Sequence, residues 1–122
     1  MSTRIMWLSQ HAPTPKQLTE LERIYPEHTL IIDHAAFDDV EDILRRYRAA
    51  NADHMVLVAP LTVIRTLVRK GVHPIYAEMR SVKPNSEHAE VKVGKRAYQF
   101  VAFHRVDAVT LKLTKLQPPG GE

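Results

Sequence analysis

The chain has 122 residues, 44% of them hydrophobic and 25% charged, which is the composition of one globular domain with room for a single core. It contains no cysteine, which excludes disulfides, thiolate metal sites and cysteine nucleophiles and suits a reducing, cytoplasmic setting. The net charge of +3 is uneven: residues 1–64 carry six basic and nine acidic side chains and residues 65–122 eleven and five, so the second half is either a solvated basic surface or the face toward an anionic partner.

Arg4-Ile5-Met6-Trp7-Leu8 reads as a short buried strand, without the longer apolar region of a signal peptide. No apolar run reaches the ~18 residues of a membrane span, so no membrane partner is expected. Thr14-Pro15-Lys16-Gln17 has the pattern of a helix start: Thr14 as N-cap, Pro15 at the first helical position, and Gln17 three residues after the cap. Leu18, Leu21 and Tyr25 or Ile24 share a face of that helix, and Tyr25-Pro26 ends it.

Thr29-Leu30-Ile31-Ile32 is a second strand. Asp38-Asp39-Val40-Glu41 opens a second helix, with Val40, Ile43, Leu44 and Tyr47 at helical spacing and Arg45, Arg46 and Arg48 toward its C-terminal end. Met55 to Ala59 is an apolar run without alternation, as in a central parallel strand buried on both faces. Pro60 begins a third helix carried by Leu61, Ile64, Leu67 and Val68, with Gly71 at its C-terminal cap. Pro74 to Ala77 is a fourth strand.

Beyond Arg80 the pattern changes. Ser81 to His88 reads as a polar loop, Ala89 to Phe103 as a hairpin turning at Gly94-Lys95, and Val106 to Leu116 as a last strand with Val109, Leu111 and Leu113 alternating against Thr110, Lys112 and Thr114. The expected fold is therefore α/β: a small Rossmann-like parallel sheet flanked by helices, followed by antiparallel strands. A single domain is expected over residues 1–117, with its β/α core over 1–80, the hairpin and final strand over 81–117, and a disordered tail over 118–122.

An open parallel sheet binds ligands beyond the carboxyl ends of its strands. That rule selects Ser9-Gln10-His11, Asp33-His34, Pro60-Leu61-Thr62 and Glu78-Met79-Arg80. Two of these segments run into helix starts, whose free N–H groups favour anions. Ser9, Gln10 and His11 offer a hydroxyl, an amide and an imidazole in three residues, although Ser9 can equally satisfy loop backbone. Thr62 stands in the first helical turn, and Arg65 points either at an anion or into solvent. Arg80 can clamp a phosphate or pair with Glu78 or with an acid of the first half. Asp33-His34 is an acid/base pair or a plain strand-to-loop turn, and the acids from Asp38 to Asp42 are favourable charges at a helix start.

The seven histidines show no metal-ligand spacing, so no metal and no cofactor are expected. Glycine-rich phosphate loops and a nucleophile elbow are missing from the sequence. Arg96, Tyr98, Phe100, Phe103 and Arg105 interleave aromatic and basic groups, as a nucleic-acid surface or a two-faced hairpin would.

The run Ser9-Gln10-His11-Ala12-Pro13-Thr14-Pro15-Lys16-Gln17-Leu18, with the strand before it, resembles the opening of small stand-alone CRISPR-associated ring nucleases with a CARF-like Rossmann fold. The segment His73-Pro74-Ile75-Tyr76-Ala77-Glu78-Met79-Arg80 is similar to their late strand ending in arginine. The resemblance covers residues 5–21 and 72–80; Ala59-Pro60-Leu61-Thr62 lacks the glycines of some relatives. It implies a metal-independent homodimer that binds and cleaves cyclic oligoadenylate. It further implies His11 as acid and Arg80 as cation, with Ser9, Gln10 and Thr62 holding ribose and phosphate; Thr14 and Arg65 are further candidate ligand contacts. Two other functions remain open on the residues alone. One is a nucleotide-sensing module of the same fold that does not cleave; the other is an accessory protein that binds nucleic acid through Lys95, Arg96 and Arg105.

Overall fold

The computed structural model describes residues 2–120. The last two positions of the expected tail, Gly121 and Glu122, lie outside the described residues. Strand β1 (Arg4–Leu8) leads through helix α1 (Pro15–Ile24) to β2 (Thr29–Asp33), then α2 (Val40–Ala49), β3 (His54–Leu57), α3 (Leu61–Arg69), β4 (Ile75–Val82), β5 (Val91–Val93) and β6 (Arg96–Arg105). The six strands form one mixed sheet in the order β2-β1-β3-β4-β6-β5. β1 pairs in parallel with β2 and β3, and β3 in parallel with β4, whereas β6 runs antiparallel to both β4 and β5.

The core follows from strand alternation. Met6 and Leu8 of β1, with Met55 and Leu57 of β3, meet Ile43 and Leu44 of α2 and Ile64 and Leu67 of α3. Ile5, Trp7 and Val56 point to the opposite face and meet Leu21 of α1, with Phe103 of β6 alongside. Helices thus cover both faces of the parallel strands, which is why β1 and β3 read as unbroken apolar runs.

Both of the first two helices begin on closed caps. The Thr14 hydroxyl accepts the Gln17 N–H at 3.2 Å, and the Gln17 side chain accepts the Thr14 N–H at 2.9 Å, both residues being buried. Asp39 accepts the Asp42 N–H at 2.8 Å, and the Asp42 carboxylate accepts the Asp38 N–H at 3.0 Å. Thr14→Ala is expected to cost about 1–2 kcal/mol in urea unfolding, because it leaves a buried N–H at Gln17 unpaired.

Three expectations are corrected here. β4 does not stop at Ala77 but runs to Val82, because β6 pairs with it along its whole length, absorbing Ser81 and Val82 from the expected loop. β3 ends at Leu57, short of Ala59. Residues 106–116 form no strand, since both edges of β6 are already taken by β4 and β5. The Val106 N–H instead donates to the Pro74 carbonyl at 2.9 Å, and Val106 and Val109 pack on the core cluster that α2 and α3 share. The alternating leucines beyond them are left in solvent: Leu111 is 73% exposed and Leu113 80%.

Because Val56 is level with Ile75, β4 continues seven residues past its contact with β3. At ~3.3 Å per residue the β4–β6 pair overhangs the end of β3 by roughly 20 Å. The register with β6 shifts after Glu78, and the Glu90 carboxylate accepts the Phe100 N–H at 2.8 Å where β5 has ended.

Candidate functional site

β2 lies on one side of β1 and β3 on the other, so the connections leaving β1 and β3 diverge and a crevice opens at their carboxyl ends. It is a cleft of about 310 Å³, lined by Leu8, Ser9, Gln10 and His11 from the end of β1, Ala35, Ala36 and Phe37 after β2, and Val58 after β3.

The loop at the end of β1 is held by its backbone. The Ser9 hydroxyl accepts the His11 N–H at 3.2 Å, and the Trp7 indole N–H donates to the His11 carbonyl at 2.8 Å. His34 Nδ1 donates to the Ser9 carbonyl at 2.8 Å, and the Ser9 N–H reaches the Asp33 carbonyl at 3.3 Å. Ser9 is therefore spent on its own turn. The Gln10 amide and the His11 imidazole are exposed and make no hydrogen bond among the described residues, so they are the groups this loop offers to a ligand.

The opposite wall is fastened from α2. Arg46 donates to the Ala35 carbonyl at 2.9 Å, to the Ala36 carbonyl at 2.7 Å and to Asp42 at 2.8 Å, and lies 3.5 Å from Asp33. Asp42 is 3% exposed and also pairs with Arg45. The Asp38 N–H, together with Arg46 and Arg45, holds the Asp42 carboxyl below the ordinary aspartate value against the opposing effect of burial. Asp33 further accepts the Ala35 N–H at 3.0 Å. Asp33 and His34 thus both fix loops around the cleft.

The other predicted residues stand elsewhere. Thr14 is buried in its capping box. In the two helix starts beside the cleft a side chain takes one helix N–H each, Thr14 that of Gln17 in α1 and Asp39 that of Asp42 in α2. Only α3 begins without a side-chain cap, behind Pro60; Thr62 is exposed in its first turn. Arg65 lines a groove between α3 and residues 108–111. Arg80 donates to Gln99 across the β4–β6 pair at 3.0 Å, not to Glu78, which instead accepts from His104 Nε2 at 2.7 Å. Neither Arg65 nor Arg80 lines the cleft. Among the described residues, no three His, Asp or Glu side chains are grouped as a metal site requires, and no helix is long and apolar enough to cross a membrane.

No family model, curated protein or solved structure matches this chain. Two residues of the site are absent from the sequence reading as ligand contacts or supports: Phe37, and Arg46 as the clamp of the loop before it. The i, i+4 spacing of Asp42 and Arg46 on one helix was a signal for their pairing. Nothing local linked Arg46 to Ala35 and Ala36.

Proposed function

We propose that the chain binds cyclic oligoadenylate across the carboxyl ends of β1 and β3 and cleaves it as a metal-independent ring nuclease. The observation that carries this reading is the cleft itself, where the unpartnered Gln10 and His11 side chains converge at the strand ends. The parallel order β2-β1-β3-β4 with helices on both faces supports a Rossmann-like, CARF-like reading of the fold.

In the proposed reaction a ribose 2′-oxygen forms a bond to the adjacent phosphorus in line with the departing 5′-oxygen. The P–O5′ bond breaks, the 2′-OH proton goes to solvent, and His11 protonates the leaving oxygen. The product ends in a 2′,3′-cyclic phosphate and a 5′-hydroxyl. The ligand's sugar-phosphate path runs from the cleft past Val58 toward the uncapped start of α3 and Thr62. Arg80, on the β4 overhang, lies roughly 13 Å beyond the level of Leu57. A ligand reaching it extends well outside the cleft, which fits a homodimer holding one ring between two copies.

Incubation with cyclic tetra-adenylate and cyclic hexa-adenylate tests the reading. Linear products ending in 2′,3′-cyclic phosphate, formed equally with and without a chelator, are the expected result. Binding without products reduces the protein to a sensor, and neither binding nor products removes the proposal.

A further inference from the structure

We infer that the cleft seats one adenine base, with Phe37 against the face of the ring and Gln10 reading its edge. This rests on the nucleotide reading above and makes it specific, since it assigns the cleft to the base and not to ribose or phosphate.

Size sets the first limit. At about 310 Å³ the cleft is at the lower end of ligand pockets, which run from about 300 to 1,000 Å³. It holds a base or a nucleoside and not a ring of nucleotides.

Charge sets the second. No lysine or arginine lines the cleft, and apart from Ser9, Gln10 and His11 its walls are Leu8, Ala35, Ala36, Phe37 and Val58. The adjacent start of α2 carries the Asp39 and Asp42 carboxylates, and at the start of α1 the Thr14 hydroxyl takes the Gln17 N–H. A phosphate seated between these walls meets apolar carbon and nearby carboxylates and no lysine or arginine, so the phosphates stay at the rim, where His11 stands. An uncharged, flat, partly apolar group meets what it needs.

Chemistry sets the third. Phe37 packs on the core and lines the cleft, so its ring is a fixed stacking platform. Gln10 has a free carboxamide, whose paired acceptor and donor match the adjacent N6 donor and ring-nitrogen acceptor of adenine. On the N6/N7 edge guanine presents two acceptors, O6 and N7, so one carboxamide matches adenine there and not guanine. Both walls are fastened before any ligand arrives, one by Trp7 and His34, the other by Arg46.

NMR titration of the intact chain with adenosine, guanosine and inorganic phosphate tests the assignment, alongside cleavage of cyclic tetra-adenylate. Adenosine is expected to shift the Gln10, His11 and Phe37 amides, guanosine to bind at least about 10-fold more weakly, and phosphate to leave these amides unmoved. Phe37→Leu keeps the core filled and is expected to weaken adenosine about 10-fold or more; Gln10→Ala is expected to erase the preference over guanosine. Equal binding of the two nucleosides, no adenosine binding, or adenosine affinity unchanged in both variants overturns the base site. Cleavage that persists with unaltered KM in both variants removes the base site and leaves the nuclease reading intact. Selective, Phe37-dependent adenosine binding without any cleavage removes the nuclease reading and leaves the base site.

Discussion

Under the proposed ring-nuclease activity, His11→Ala is expected to lower cyclic oligoadenylate cleavage by about 10²- to 10⁴-fold, the usual contribution of a positioned general acid, while leaving the unfolding midpoint unchanged. The fold grips this residue by its backbone alone: Trp7 donates to its carbonyl and Ser9 accepts its N–H. Its exposed imidazole holds nothing in place, so the ring can be removed without disturbing the loop. Ser9→Ala makes the informative contrast. It takes away the acceptor that sets the turn, so its loss of activity arises from a loosened loop and appears in both KM and kcat. Single-turnover kinetics with a substrate carrying a better 5′-leaving group separates the two. The His11→Ala defect is expected to shrink, because a good leaving group needs no acid, and the Ser9→Ala defect to persist. A His11→Ala variant with wild-type rates would take the acid role away from this residue.

What could be read from the sequence was what contacts of short range decide. The cap of α1 at Thr14 and Gln17 depends on residues three apart, and the structure has it; the start of α2 was legible as the stretch Asp38 to Glu41, within which the cap falls on Asp39. The apolar runs of β1 and β3 depend only on burial of both faces, and those strands are central. The misreading of residues 106–116 has the same origin. An alternating pattern reports that a segment is able to pair, not that an edge is free to receive it, and β4 and β5 already occupy β6. The reach of β4 to Val82 was hidden for the opposite reason, since Ser81 and Val82 look like loop until Tyr98 and Ala97 are known to lie across from them. At the site, Ser9 to His11 was legible by its position at a strand end. Phe37 was not, because it enters the cleft through a wall that Arg46 fastens from another element.

That clamp has consequences for stability and for pH. Arg46→Ala removes charge-assisted hydrogen bonds to two carbonyls and to Asp42, and is expected to cost about 2–3 kcal/mol in urea unfolding. Exchange of the Ala35 amide, which Asp33 holds, is expected to speed up in this variant, and ligand affinity at the cleft to fall with it. Arg46→Lys rescues little, because one ammonium cannot span the carbonyls of Ala35 and Ala36 and the Asp42 carboxylate together. Asp42 supplies the pH dependence. Its carboxyl is held below the ordinary aspartate value in the folded protein. Its contribution is therefore complete above the unfolded value, ~3.9, and is lost as the pH falls through the lower folded value. Asp42→Asn is accordingly expected to unfold at a lower temperature than the wild type by a constant margin from about pH 5 to 8. That margin begins to close as the pH drops below about 4, where the unfolded chain takes up the proton first, and is gone once the folded carboxylate is protonated and releases Arg46. A margin that stays constant down to pH 2 would mean that the ionised carboxylate does not hold the wall of the cleft, and that the geometry around Ala35 and Ala36 depends on packing alone.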